Sequence, residues 1–259
     1  MSRVRVIKIG GNVVDNPEAL SAFLDDFASI EGKKILIHGG GKEATRLSKA
    51  LDIPTTMIEG RRVTTADTLK VVTMVYAGLI NKRIVSMLQA RGVNALGLSG
   101  ADGNLIPASR RNPEPVDFGY VGDIDPLKVN DTLLTQLLDK GFVPVICAIC
   151  HDGQGTLLNC NADSVALAVA AAVARRMPTS LTFCFEKPGV LLDADDDSSV
   201  IELVTPSRFA QLKSEGKVSG GMLPKLSNAL KGVEQGISSV NICHASAVTL
   251  PEAGTIIKL

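Results

Sequence analysis

Four short stretches of this chain set glycines beside a lysine, histidine or arginine, and a fifth sets two asparagines ahead of an aspartate. Lys8 lies just before Gly10-Gly11, His38 leads into Gly39-Gly40-Gly41, Arg62 follows Gly60, Asn159 and Asp163 bound Asn159-Cys-Asn-Ala-Asp163, and Lys225 follows Gly220-Gly221. The chemistry this set suits is anion binding. A strand that stops at glycine and restarts as a helix leaves N–H groups free at the helix N-terminus. No Cβ stands in front of them, so a phosphate or carboxylate can come close. Taken singly, each residue has a plainer account: a lysine on a strand is usually an edge residue, Lys225 a surface helix residue, an arginine in a hairpin is solvated, and Asn or Asp at a helix start is a cap. Their joint occurrence at element ends is what points to a site.

Other motifs compete for the same residues. Gly39, Gly41 and Ala44 fit Gly-x-Gly-x-x-Ala between a strand and a helix, with Glu59 about twenty residues on, which is the pattern of a dinucleotide-binding turn. In that reading His38 is a possible catalytic group. Cys147-Ala-Ile-Cys-His151 has the form of a haem attachment, and Cys160 would extend it to a zinc set. The two cysteines continue an apolar strand, however, and are better read as small buried hydrophobes. There is no Gly-x-x-x-x-Gly-Lys-Ser/Thr, since Glu43 follows Lys42, and no Gly-x-Ser-x-Gly around Ser99. With three histidines in the chain, a histidine base is not conspicuous.

Elements that would bring these residues together are legible in order. Residues 4–9 read as a strand. A helix over 17–30 starts with Asn16 as cap and Pro17 at the first helical position, where its missing N–H is harmless. A strand over 34–38, the glycine turn and a helix to residue 51 follow, then a hairpin across 55–64. Thr65 caps a long helix over 66–91, ended by Gly92. Its middle, 69–80, is apolar nearly all round apart from Lys70 and Thr73, the pattern of a helix buried on two sides. Either the sheet and a second subunit cover it, or this chain alone does. A strand over 93–98, a hairpin excursion rich in Gly, Pro, Asn and Asp over 100–123, and a helix over 132–140 come next. The apolar run 142–149 suits a central parallel strand, and a helix spans 164–176. Met177-Pro178 reads as a lobe boundary. Beyond it lie strands over 181–185, 240–243 and 255–258, helices over 206–215 and 223–235, and an acidic turn at 193–197. The alternation predicts an α/β fold: a mostly parallel central sheet with helices on both faces, in lobes 1–176 and 177–259.

Composition excludes several functions. Lys+Arg and Asp+Glu number 27 each among 259 residues, so no net field attracts nucleic acid or an anionic membrane. Tryptophan is absent and aromatics make up 3%, too few for a base-stacking platform. The first eight residues interleave charge with apolar side chains, unlike a signal peptide. The apolar run 165–174 is about half the ~20 residues of a membrane span. Five cysteines lie mostly in apolar runs, which suits a reducing compartment. A soluble cytoplasmic protein is expected.

Ile7-Lys-Ile-Gly-Gly11, His38-Gly-Gly-Gly41, Gly60-Arg-Arg-Val-Thr64, Asn159-Cys-Asn-Ala-Asp163 and Gly220-Gly-Met-Leu-Pro-Lys225 occur in the order and spacing of the amino-acid kinase family. The chain resembles that family from its first strand to Gly254-Thr-Ile-Ile. Its Arg-Val-Thr and Asn-x-Asn-Ala-Asp elements are similar to those of members acting on N-acetylglutamate; members acting on aspartate, uridylate or carbamate usually carry other residues there.

The resemblance implies an αβα sandwich of amino-acid kinase type. It also implies transfer of the γ-phosphoryl group of ATP, bound with Mg2+, to the side-chain carboxylate of N-acetyl-L-glutamate or a closely related N-acyl-glutamate. Another phosphotransferase of the family is the second reading, and an NAD-dependent oxidoreductase the third. No metal site is expected apart from the ion that travels with the nucleotide. Lys8 and Lys225 would neutralise charge on the transferring group, with Asp163 ordering both ammonium groups. Gly11, Gly40 and Gly41 would offer N–H groups to the phosphoryl and the accepting carboxylate. Arg62 and Asn159 would hold the substrate's α-carboxylate. Gly10, Gly11, Gly221 and Lys187 would meet ATP, whose lobe is 177–259, while 1–176 carries the amino acid and a homodimer contact through helix 66–91. Two departures stand out. Where the family commonly has Ser/Thr-Asp-Val-x-Gly, this chain has Phe185-Glu-Lys-Pro-Gly189, with Lys187 expected to compensate. Arginine-inhibited members carry a helix before the first strand; this chain starts almost on it, so insensitivity to arginine is expected.

Overall fold

A computed structural model describes residues 3–58, 60–193, 195–217 and 222–259, and the side chains of 222–225 fall outside that description. Glu59, Gly220 and Gly221, all singled out above, lie outside the described residues.

Eight strands form one sheet: β1 Val4–Ile9, β2 Lys34–His38, β3 Ala95–Leu98, β4 Val143–Cys147, β5 Thr179–Phe185, β6 Leu203–Val204, β7 Ser239–His244 and β8 Thr255–Ile257. Their order is β6-β8-β7-β5-β1-β2-β4-β3. All neighbours pair in parallel except β7 and β8. All five residues of β2 are buried, as a strand covered on both faces must be. A single sheet therefore runs through both expected lobes. The strands of 1–176 form one end of it and those of 177–259 the other, and β1 against β5 is the seam.

The helix Ala162–Ala174 packs beneath β1, β2 and β5, with Val165, Ala166 and every residue from Ala168 to Val173 buried. Its alanines let it sit between the sheet and the helices Asp131–Asp139 and Met222–Glu234, which it also contacts. It begins two residues before the sequence expectation because Asn161 caps it, accepting from Asp163 N at 2.8 Å and Ser164 N at 3.1 Å.

The run 142–149 is not one central strand. β4 ends at Cys147, second from the sheet edge, and the chain then swings out as Ile149–His151 to pair antiparallel with Leu157–Asn159. Both pieces are apolar because both are buried, so hydropathy could not mark the break. The bend delivers Asn159 to the site. The hairpins Met57–Ile58/Arg61–Arg62 and Ala108–Arg110/Gly122–Ile124 form as the turn residues suggest.

The long helix runs from Ala66 to Gln89, capped by Thr65, with a π-helical segment at Met74–Ile80. It is long and apolar enough to cross a bilayer by length and composition, but Val71, Val72, Val75, Ile80, Ile84 and Leu88 are core residues of this domain. Its other face is not covered by this chain: Met74 is 51% exposed and Leu79 52%. Of the two sequence readings, complete burial within one chain is thereby removed.

Candidate active site

At the carboxyl ends of β1 and β2 lies a cavity of about 510 Å³. The chain leaves β1 for β2 on one side and returns to β5 on the other, the kind of crossover where open α/β sheets form a ligand crevice. Lys8, Gly11, Gly40, Gly41, Arg62 and Asn159 line it, so most of the site expected from sequence converges.

Lys8 reaches the cavity from the end of β1, and its Nζ lies 2.7 Å from Asp163 Oδ1 at the start of the helix Ala162–Ala174. Both side chains keep partial access, 16% and 24%. A smaller cavity lined by Lys8, Asp163, Phe183, Phe185, Asn228 and Ile242 adjoins on the side of β5 and β7, so the ion pair stands between the two spaces.

The glycine turn delivers the helix Gly41–Ala50 with no side-chain cap at its N-terminus, whereas Asn16, Thr65 and Asn161 cap theirs. Its first N–H groups have no intrahelical acceptor. Of the three glycines, the middle one is demanded by geometry. Gly40 has φ +157°, and a Cβ there would lie 2.2 Å from Ile80 Cδ1 and 3.1 Å from Tyr76 Cδ1. A Cβ on Gly41 would meet nothing, and one on Gly39 only an ordinary contact at 3.5 Å. The dinucleotide fingerprint rests on Gly39 and Gly41, so the turn is constrained at a different position from the one that motif requires.

Arg62 is buried on its hairpin strand. Its Nη2 donates to the Gly41 carbonyl at 2.8 Å and to Thr45 Oγ1 at 2.7 Å, leaving Nη1 with a long 3.4 Å contact to Thr55 Oγ1. The guanidinium is thus fixed to the first turn of the glycine-led helix while part of its fork faces the cavity. Asn159 Nδ2 donates to Thr64 Oγ1 at 3.0 Å, which joins the Arg-Val-Thr and Asn-x-Asn motifs across 95 residues of sequence.

Several expected residues stand elsewhere. Gly10 sits behind the cavity wall with its N–H on the Cys184 carbonyl at 2.8 Å. Lys187 is on an exposed loop, paired with Asp197 at 2.8 Å, and is not among the lining residues. Gly221 and the Lys225 side chain lie outside the described residues. His38 is fully buried and does not line the cavity. Burial pushes the Cys147 thiol up to about 12 and Cys150 well above 9, the latter led by its hydrogen bond with Cys160, so these thiols stay protonated, as buried hydrophobes do.

The cavity also holds residues that sequence reading passed over. Tyr76, from the π segment, is mostly buried and faces Arg62, and burial raises its pKa. Arg111 clasps Asp123 through Nε and Nη2, and that hydrogen bond raises the Arg111 pKa. These two are 12 residues apart and meet only because the hairpin pairs, so no local signal marks them. Asn161 was legible, since Asn before an apolar helical run is a cap signal. Among the described lining residues, Asp123 is the one carboxylate, and Arg111 holds it. The site presents cations and N–H donors to anions and offers no unengaged carboxylate base among those residues, an arrangement suited to transfer of a phosphoryl group between anionic partners.

Comparison with known proteins agrees with this chemistry. Residues 3–244 match the Amino acid kinase family. The chain is 48% identical over 256 residues to an acetylglutamate kinase of Phocaeicola vulgatus, covering 99% of this chain and 98% of that one. It is 49% identical to an acetylglutamate kinase of Bacteroides fragilis, covering 99% and 97%. Among solved structures, smu.665 of Streptococcus mutans superposes with a TM-score of 0.78 at 26% identity, covering 98% of each chain. This chain belongs to the amino-acid kinase family.

Proposed function

We propose that the protein is an acetylglutamate kinase. It transfers the γ-phosphoryl group of ATP to the side-chain carboxylate of N-acetyl-L-glutamate, or of a closely related N-acyl-glutamate, giving an acyl phosphate in arginine biosynthesis. The observation that carries this reading is the joining of the Lys8–Asp163 pair, the uncapped glycine-led helix and the Arg62–Asn159 clamp around one cavity, in a chain close to half identical to proteins of that name.

A carboxylate is ionised at neutral pH and is itself the nucleophile, which accounts for a site without a free base. Catalysis then consists of alignment and charge stabilisation. Arg62 and Asn159 hold the α-carboxylate. The N–H groups of Gly40 and Gly41 hold the accepting carboxylate, and Gly11 and Lys8 face the phosphoryl group as negative charge spreads over its oxygens. Asp163 keeps the Lys8 ammonium oriented and is not a base. Lys225 supplies a second cation. ATP, with its Mg2+, lies over the half of the sheet formed by 177–259, beside Phe183, Phe185 and Asn228, with Gly221 at its phosphates; Gly10, whose N–H is held by the Cys184 carbonyl, and Lys187, paired with Asp197, are not assigned to it. The amino acid lies over the half formed by 1–176. Two chains pair through the outer face of the helix Ala66–Gln89, where Met74 and Leu79 are exposed. The enzyme works in the cytoplasm and binds neither nucleic acid nor membrane.

An ATP-dependent hydroxamate assay tests the reading against N-acetylglutamate, N-succinylglutamate, glutamate and aspartate. Turnover of an acylated glutamate in preference to the free amino acids is expected. No turnover of either acylated substrate refutes it.

A further inference from the structure

Behind the glycine turn lies a buried polar chain with no part in the site as described so far. His38 has no exposed surface and Asn81 is 1% exposed. His38 Nδ1 is 2.9 Å from the Gly39 carbonyl oxygen, and its Nε2 is 3.1 Å from Asn81 Nδ2. The Asn81 amide also donates to the Val145 carbonyl at 2.9 Å. Lys82 Nζ closes the other end, 3.1 Å from Asn81 Oδ1 and 3.1 Å from the Gly97 carbonyl.

The partners dictate where the protons are. A carbonyl only accepts and an ammonium only donates. Asn81 must therefore turn its oxygen to Lys82 and its NH2 to Val145 and His38. His38 must carry its proton on Nδ1, donating to Gly39, and accept at Nε2. One arrangement satisfies every group, so the imidazole has one orientation and one tautomer. A second proton on Nε2 would face an N–H donor. Burial holds this histidine down at about 4, so it is neutral in the working enzyme and has no route to act as a base.

What the chain grips is a peptide with no side chains to anchor it. Glycine backbone is conformationally free, and the turn is limited from one side by Ile80 and Tyr76 packing on Gly40. Asn81 follows Ile80 directly, so the helix Ala66–Gln89 supplies both restraints. In a trans peptide the C=O and the following N–H point in opposite directions. A Gly39 carbonyl drawn inward to His38 therefore turns the Gly40 N–H outward, toward the cavity that Gly39, Gly40 and Gly41 line. We infer that His38 is a positioning residue for phosphoryl transfer, held in its tautomer by Asn81 and fixing the Gly39–Gly40 peptide so that its N–H meets the accepting carboxylate. The inference rests on the kinase reading above. Gly97 belongs to the same device: a Cβ there would come within 2.1 Å of Asn81 Oδ1 and 2.7 Å of Lys82 Nζ.

Two partial replacements separate positioning from packing. An asparagine amide reaches the place of the imidazole Nδ1 and a glutamine amide that of Nε2. His38→Asn thus keeps the donor to Gly39 and loses Asn81, and His38→Gln does the reverse. At saturating MgATP we expect His38→Gln to lower kcat by roughly 10²-fold, as a misplacement of about 1 Å does, and His38→Asn to stay within about threefold of wild type. Both variants should melt earlier, with KM for MgATP unchanged. Equal kcat losses in the two, losses that follow Tm, or no loss in either would overturn the inference. Should neither variant fold, imidazole 15N shifts of the wild-type protein decide. An Nδ1–H tautomer held from about pH 8 to about pH 5 is expected, and an Nε2–H tautomer or a free titration overturns it. A wild-type chain inactive on every acylated glutamate is a failure of the kinase reading, on which the tautomer measurement does not depend.

Discussion

Lys8 Nζ and Asp163 Oδ1 meet at 2.7 Å, one carried by the last turn-ward residues of β1 and the other by the first turn of the helix beneath it. The pair ties the end of the strand to the start of the helix at the boundary of the two cavities. Removing the ammonium should cost transition-state stabilisation more than substrate binding. Lys8→Ala is expected to lower kcat by about 10²–10³, with a much smaller change in KM for the acylated glutamate. Asp163→Asn, which keeps the shape and loses the charge, should lower kcat in the same direction. Steady-state kinetics on both variants check this, and a change in KM alone would contradict it.

Arg62 has a different task. Its Nη2 is engaged with Gly41 and Thr45, while Nη1 makes only a long 3.4 Å contact with Thr55 Oγ1 and the guanidinium lines the cavity. Arg62→Lys retains the charge and loses the planar fork. The loss of one charge-assisted hydrogen bond, about 1.5–3 kcal/mol, should raise KM for the acylated glutamate by roughly 10- to 100-fold while KM for ATP holds. Parallel titrations of the two substrates distinguish this from a general loss of structure.

Gly40→Ala should be far more damaging than Gly41→Ala. The former meets Ile80 at 2.2 Å in a backbone conformation that disfavours side chains, and the latter meets nothing. Overpacking of this kind costs about 1–3 kcal/mol, with backbone strain in addition. Urea melts of the two variants should differ by at least that amount, and equal midpoints would remove the steric argument.

His38 makes stability depend on pH in a defined window. In the fold its pKa lies at about 4, against an ordinary 6.5, with burial the main cause and the Arg83 and Lys82 charges adding to it. Between those values the unfolded chain takes up a proton that the folded chain refuses. Stability is therefore full above about pH 6.5, falls as pH drops toward 4, and is not lost further through this group below that. The total is roughly 3 kcal/mol. Urea midpoints measured across the window should show the slope, and His38→Asn should remove most of it.

The exposed Met74 and Leu79 sit on a helix whose inner side is core. Leu79→Glu puts a charge on that outer face without touching the interior. Sedimentation should find the wild-type chain as a dimer and this variant shifted toward monomer, with Tm of the monomer little changed. A wild-type chain that sediments as a monomer would contradict the dimer.

Local patterns in the sequence were enough for the elements whose ends carry the chemistry. β1 and β2 have the bounds expected of them, because apolar runs that stop at glycine are set by residues next to one another. Asn16 before Pro17 and Thr65 before the long helix act as caps for the same reason. Lys8, Arg62 and Asn159 stand out from their joint occurrence at element ends, each having a plainer account on its own, and their roles come only from the resemblance to the amino-acid kinase family.

What only the tertiary structure decided depends on residues far apart in the chain. Which glycine of 39–41 is indispensable is set by Ile80 and Tyr76 pressing from a helix forty residues away. Where 142–149 leaves the sheet is set by its pairing with Leu157–Asn159. The clasp of Arg111 on Asp123, the engagement of Lys187 with Asp197, and the proton on His38 Nδ1 all follow from partners that pairing and packing supply. Sequence spacing encodes periodicity and turn chemistry, which act over a few residues. It does not encode register or the choice of hydrogen-bond partner, which are settled when distant segments are brought into contact and every buried polar group must find its complement.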